Sequence, residues 1–197
     1  MMKHRLFAVL LVAACSSSSS DPASNGAGAA PLVGTWDVQF LVHSDFESAQ
    51  VVADPQSIHV SVVVKKTTSM EATADLVLLR SADGTQLTGS GSKRLVLTYT
   101  GQPVAATTPI APFTLTRTSP APSEYGDLGG EWSLTSEYRH CTIQIQGGTF
   151  SGNCSTTAGK ENSVYPSGAA YAFNGTGTGS AFSGSDLFGA QFAATKR

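Results

Sequence analysis

The residues of this 197-residue chain whose types could do chemistry are three cysteines, four histidines and one Ser-x-x-Lys spacing. Two cysteines flank a compact segment, Cys141-Thr-Ile-Gln-Ile-Gln-Gly147-Gly148-Thr-Phe-Ser-Gly-Asn-Cys154. A Gly-Gly pair accepts positive φ at both positions and marks a two-residue hairpin turn. Counting outward from it, Gln146 faces Thr149, Ile145 faces Phe150, Ile143 faces Gly152 and Cys141 faces Cys154. In such a hairpin the pairs alternate, so the cysteines fall on a non-hydrogen-bonded pair, with Cα atoms about 4.5 Å apart. That separation suits a disulfide. The same count puts Ile143, Ile145 and Phe150 on the disulfide's face, and Thr142, Gln144, Ser151 and Asn153 on the other. A zinc or redox pair fits worse, because only His140 lies nearby. His43, His59 and His140 show no metal-ligand spacing. Ser90-Gly-Ser-Lys93 has the spacing of a lysine-activated serine but sits in a glycine-rich strand rather than at a helix start. The acids Asp37, Asp45, Glu47 and Asp54 lack the alternate spacing and glycine hinge of a calcium loop. Asn174-Gly-Thr176 formally fits a glycosylation acceptor. An enzyme would need the fold to gather at least two of His59, Asp75, Glu137 and His140.

The elements around these residues begin with Met1-Met-Lys3-His-Arg5, an apolar run from Leu6 to Ala14, and Cys15. The run is too short to span a bilayer as a helix, which takes roughly 20 residues. Val12-Ala-Ala-Cys15 resembles the lipobox of a bacterial lipoprotein signal peptide. The resemblance implies cleavage after residue 14, lipid on Cys15, and anchoring to a membrane without spanning it. Ser16, rather than aspartate, after the cysteine favours the outer membrane over the inner. Residues 16–31 are mostly serine, alanine and glycine, with Asn25, two prolines and one charge, Asp21, and read as a flexible tether. With Lys3 and Arg5 removed the mature formal charge is about −4, with no basic patch, which argues against nucleic acid as a partner. Charged residues make up only 13% of the chain. The threonine-, serine- and glycine-rich remainder suits an exported all-β protein, and lipid on Cys15 leaves an even pair of cysteines to oxidise.

Beyond Pro31 the strand signal recurs. Val33–Val42 alternates Trp36, Val38, Phe40 and Val42 with Asp37, Gln39 and Leu41 between, and Ser57–Val64 alternates Ile58, Val60, Val62 and Val64. Thr73–Arg80, Arg94–Thr100 and Phe113–Arg117 follow. Short strands with glycine-rich turns predict an all-β antiparallel meander or barrel. Ser119-Pro-Ala-Pro-Ser123 interrupts it. After that, Gly130-Glu-Trp132 matches Gly34-Thr-Trp36, and Phe192-Ala-Ala-Thr-Lys196 matches Phe113-Thr-Leu-Thr-Arg117. Two related halves, 32–118 and 130–197, joined by 119–129, are therefore expected. Within them Leu87-Thr-Gly89-Ser-Gly91 aligns with either Phe173-Asn-Gly175-Thr-Gly177 or Phe150-Ser-Gly152-Asn-Cys154.

The Gly-x-Trp start resembles that of the calycins, the lipocalins and avidins. In them the first barrel strand opens this way and a basic residue of the last strand covers the tryptophan. The resemblance implies barrel-closing roles for Trp36 and Trp132, with Arg117, Lys196 and Arg197 as basic partners. Each half is short for an eight-stranded calycin barrel, so one barrel built from both halves, with Trp36 beside Lys196-Arg197, is the expected solution. No cofactor or catalytic set is expected. The leading functional expectation is a lipid-anchored envelope protein that binds a protein partner or serves a structural role. The alternatives are a calycin-like carrier of a small apolar ligand and an enzyme with a dispersed site.

Overall fold

The computed structural model describes residues 33–42, 46–119, 129–146, 149–161, 171–178, 181–186 and 189–197. The signal, Cys15 and tether, most of the 119–129 connection, the Gly147-Gly148 turn, His43 and Asp45 lie outside them. Twelve strands close into one antiparallel barrel in which each pairs with its sequence neighbours. They are β1 (Gly34–Val42), β2 (Ser48–Ala53), β3 (Ser57–Lys66), β4 (Met70–Arg80), β5 (Gln86–Tyr99), β6 (Gln102–Arg117), β7 (Gly130–Ser136), β8 (Arg139–Gln146), β9 (Thr149–Thr156), β10 (Tyr171–Thr178), β11 (Ala181–Asp186) and β12 (Gln191–Lys196). Closure between β1 and β12 leaves no free sheet edge along the wall. Because the number of strands is even, β1 begins and β12 ends at the same end of the barrel, here called the terminal end.

Alternation along the strands decides what faces in. In β3, Ile58, Val60, Val62 and Val64 are buried while His59 and Ser61 are exposed; in β8, Cys141, Ile143 and Ile145 are buried between exposed His140, Thr142 and Gln144. The inward side chains of all twelve strands form one continuous core. Trp36, Val51 and Ala74 are inaccessible even to a water-sized sphere, and most others are within a few per cent of it. The interior is therefore packed rather than hollow.

The register has a two-fold order. Arg117, Leu115 and Phe113 of β6 face Trp132, Leu134 and Ser136 of β7. Lys196, Ala194 and Phe192 of β12 face Trp36, Val38 and Phe40 of β1. A step of six strands carries each ladder onto another. Cys141↔Cys154 falls on Ala49↔Val62, Gly152↔Phe173 on Val60↔Leu76, and Gly184↔Phe192 on Gly89↔Phe113. By register, Leu87-Thr-Gly89 of β5 falls on Phe182-Ser-Gly184 of β11.

β6 runs far longer than Phe113–Arg117. Pro103, Pro109 and Pro112 obscured it, since proline breaks ladders. The β5–β6 turn, Thr100-Gly101, has φ of 49° and 80°, as a two-residue hairpin requires. Pairs alternate from Tyr99↔Gln102, so Pro103 and Pro109 fall at non-hydrogen-bonded sites facing β5. Their nitrogens face the other side, where pairing with β7 starts only at Phe113. The hairpin thus projects from the barrel at the end opposite the termini, and proline removes donors from its open edge.

Candidate functional site

At the terminal end the Gly-x-Trp motifs acquire a physical reason. Lys196 Nζ lies 5.7 Å from the centroid of the Trp36 ring, and the Arg117 guanidinium carbon 4.7 Å from that of Trp132. Both tryptophans are buried, so each indole is a low-dielectric platform for a cation. Gly34 and Gly130 have φ of 138° and 106°, which side-chain-bearing residues avoid. A Cβ on Gly34 would also sit 2.7 Å from Lys196 Cε, so the lysine stem crosses the space that glycine leaves open. Of the three basic candidates, two cover an indole. Arg197 does not: strand alternation turns it outward, where its Nε donates to Asp37 Oδ2 at 2.6 Å. That bond holds the Asp37 carboxyl below its ordinary range.

On the outer wall beside this ion pair, β1 to β4 form a polar trough of about 520 Å³. Asp37, Gln50, Ser61 and Asp75 stand in one cross-strand row on its floor, with Gln39, Ser48, Val63 and Thr73 in the next. Carboxylates, amides and hydroxyls share the lining about evenly with aliphatic carbon, and no aromatic ring contributes. Such a surface can hydrogen-bond a polar ligand or a partner's loop. Sequence reasoning missed it because Asp37 and Asp75 are 38 residues apart and β2, rich in small and polar residues, gave no clear strand signal.

The residues an enzyme would need fall in two separate pairs. His59 and Asp75 stand on the outer faces of adjacent strands β3 and β4, two residues out of register, and Asp75 but not His59 lines the trough; Glu137 and His140 belong to the β7–β8 hairpin, on the other half. His59 instead approaches Ser57, with Nε2 3.1 Å from Oγ, and Ser57 Oγ donates to Asp54 Oδ2 at 2.7 Å. The three residue types are those of a hydrolase triad, but the wiring differs. The carboxylate takes the serine proton, and its other oxygen accepts the Gln56 and Ser57 backbone N–H groups. In a triad the histidine takes that proton and the carboxylate orients the histidine. Here the carboxylate caps the β2–β3 turn, and these bonds hold Asp54 below the usual carboxylate range. Ser90 faces outward and Lys93 inward on β5, so the Ser-x-x-Lys pair is split across the wall. Glu47 accepts the Lys66 backbone N–H, away from Asp54 and Asp37. Among the described residues no three His, Cys, Asp or Glu side chains gather as metal ligands. Asn174 is exposed on β10.

The disulfide joins Cys141 and Cys154 across β8 and β9, with Cα atoms 4.0 Å apart, in the register the hairpin count gives. Ile143, Ile145 and Phe150 are buried on its face. No known protein family, curated protein or solved structure matches the chain.

Proposed function

We propose that this chain is a lipid-anchored barrel of the bacterial cell envelope, held at the outer membrane through Cys15, and that it acts by binding rather than by catalysis. One observation carries the reading. The first strand opens at the terminal end, 19 residues after a lipobox cysteine, so the tether leads to that end and the β5–β6 hairpin points away from the membrane. The polar trough on the side wall is where an envelope partner finds hydrogen-bonding groups. The packed interior supports this over the carrier reading, since an internal apolar ligand would have to displace Trp36, Leu76 or Phe173. The matching registers of β1–β6 and β7–β12 further support descent of the two halves from a duplicated six-stranded unit.

The test is metabolic labelling with palmitate in the native bacterium, followed by membrane fractionation. Wild-type chain should carry label and sediment with outer membranes, and Cys15→Ser should lose both. Unlabelled wild-type chain overturns the anchor. Cross-linking from Gln50→Cys or Thr73→Cys should then capture an envelope component that Thr142→Cys, on the other half, does not; equal capture by all three overturns the trough as the binding surface.

A further inference from the structure

The trough on β1–β4 holds its two acids in different states. Asp37, at the β1 side, is met by Arg197, whose Nε donates to Oδ2 at 2.6 Å. Asp75, at the β4 side, is exposed, and among the described residues its carboxylate forms no hydrogen bond or ion pair. On the outer wall the nearest lysine or arginine by register is Arg94, which faces Thr73 one row away and does not line the trough. With Asp37 and Arg197 cancelling, the trough keeps one net negative charge, placed at one end. The remaining polar groups of the lining are neutral amides and hydroxyls. Half-buried Val63 stands diagonal to Asp75 across the β3–β4 pairing, so aliphatic carbon lies beside the uncompensated carboxylate. From Asp37 to Asp75 the row crosses three inter-strand steps of about 4.8 Å. That span, roughly 14 Å, is the length of about four extended residues. An acidic segment would set like charge against Asp75, and a wholly apolar one would cover the carboxylate without pairing it. A lysine or arginine side chain suits both parts of the lining, since its stem lies along aliphatic carbon and its head pairs with a carboxylate.

We infer that the trough seats an extended peptide segment of a partner protein that carries a lysine or arginine, with the cation on Asp75 and its stem against Val63. The inference rests on the trough being the binding surface, as proposed above, and names the chemistry that surface takes.

The test uses the full chain, 15N-labelled, in neutral detergent, with the peptide acetyl-Gly-Ser-Lys-Ser-Gly-amide as probe. Counterparts with norleucine or glutamate in place of lysine keep the length and backbone but replace the cation by a neutral stem or an anion. Titrations at low, constant ionic strength are read on the backbone amides of Ser61, Thr73 and Asp75, with Thr142 on the other half as reference. The expected result is a saturable shift of the first three with the lysine peptide while Thr142 stays still, weaker binding of the norleucine peptide, and none of the glutamate peptide. In Asp75→Asn the lysine peptide should bind about twofold to fivefold more weakly, the range open to an exposed ion pair. Asp75→Glu should keep most of the affinity. Added salt should narrow the gap between the lysine and norleucine peptides. An unmoved Thr142 signal in each variant shows that the barrel is intact. Equal binding of the norleucine or glutamate peptide, or unchanged lysine affinity in Asp75→Asn, overturns the cation seat and leaves the trough as a binding surface. No saturable shift with any peptide also overturns it, and the cross-linking from Gln50→Cys and Thr73→Cys then judges the trough separately.

Discussion

Two matching regions of the barrel, β2–β4 and β8–β10, fill equivalent positions with different chemistry. In β2–β4 the inward cross-strand pairs are aliphatic: Ala49 with Val62, Val60 with Leu76, Ile58 with Leu78. In β8–β10 the corresponding pairs are Cys141 with Cys154, Gly152 with Phe173, and Phe150 with Gly175. One half shares the volume between two medium side chains, and the other gives all of it to one ring. A Cβ on Gly152 would lie 2.1 Å from Phe173 Cζ, and one on Gly175 2.2 Å from Phe150 Cζ. Each ring therefore lies flat over the glycine opposite it. The same contact recurs where Phe113 covers Gly89 and Phe192 covers Gly184. Equal volume can be divided either way, but only the aliphatic division tolerates changes one side chain at a time.

The largest effect should come from breaking a ring–glycine pair. Phe173→Ala should cost about 3–5 kcal/mol in urea unfolding. Gly152→Ala alone should cost about 1–3 kcal/mol, because the ring must leave its seat. The sharper experiment transplants the other half's solution. Gly152→Val with Phe173→Leu restores the Val60–Leu76 pair, and the double variant should cost less than either single change. Additive costs would mean that the two pairs are not equivalent and would undo the comparison.

The disulfide comes next. Cys141→Ser with Cys154→Ser should lose about 3 kcal/mol, the entropy of closing a loop of 13 residues. Its counterpart, Ala49↔Val62, has the same register and the same non-hydrogen-bonded placement, since Asp54 N bonds Ser57 O and the pairs alternate from there. Ala49→Cys with Val62→Cys should therefore oxidise spontaneously, detected as a protected thiol pair by mass spectrometry. Free thiols in the folded variant would show that the halves differ in backbone as well as in filling.

These pairs also explain what sequence could and could not disclose. The hairpin from Cys141 to Cys154 was legible because its turn, parity and cysteines are local and agree. The closed antiparallel barrel was legible from alternation, and Gly-x-Trp and the basic final positions marked residues that the register pairs across β12–β1 and β6–β7. The interior correspondence was not. Phe150-Ser-Gly152, Phe173-Asn-Gly175 and Phe182-Ser-Gly184 look alike because each obeys the same local rule: an inward ring, and two residues on an inward gap for a neighbour's ring. Composition identifies the rule, and only the register tells which strand is which. The trough stayed hidden because outward polar residues on four strands carry no periodic signal of a shared surface.

A smaller effect separates the two indole seats. Lys196→Met keeps the stem across Gly34 and removes the charge, and should cost about 0.5–1 kcal/mol. The unfolding midpoint should fall slightly with the slope unchanged. A change above about 2 kcal/mol would mean that Lys196 holds the barrel closed by more than its indole contact.

The smallest effect is acid sensitivity, and it should begin at three carboxylates of the first half. Asp54 and Asp83 cap the β2–β3 and β4–β5 turns, and Asp37 holds Arg197 beside β1. All three carboxyls are held below their ordinary values, Asp54 mainly by the Ser57 hydroxyl, Asp37 by Arg197, and Asp83 to about 2 by Ser81 Oγ and the Thr85 N–H. A carboxyl whose folded-state pKa is depressed contributes stability that is present above its unfolded value and is lost as pH falls through the folded one. The window therefore lies from about pH 4 down to about pH 2. All three groups are solvent-exposed, so the loss should be gradual. Amide exchange should quicken first in the turns at Asp54–Ser57 and Ser81–Gln86, while amides of β8 and β9, which the disulfide joins, stay protected. Faster exchange beginning in β8–β9 would reverse the assignment, making the ring-filled half the one that opens and the aliphatic half the more durable.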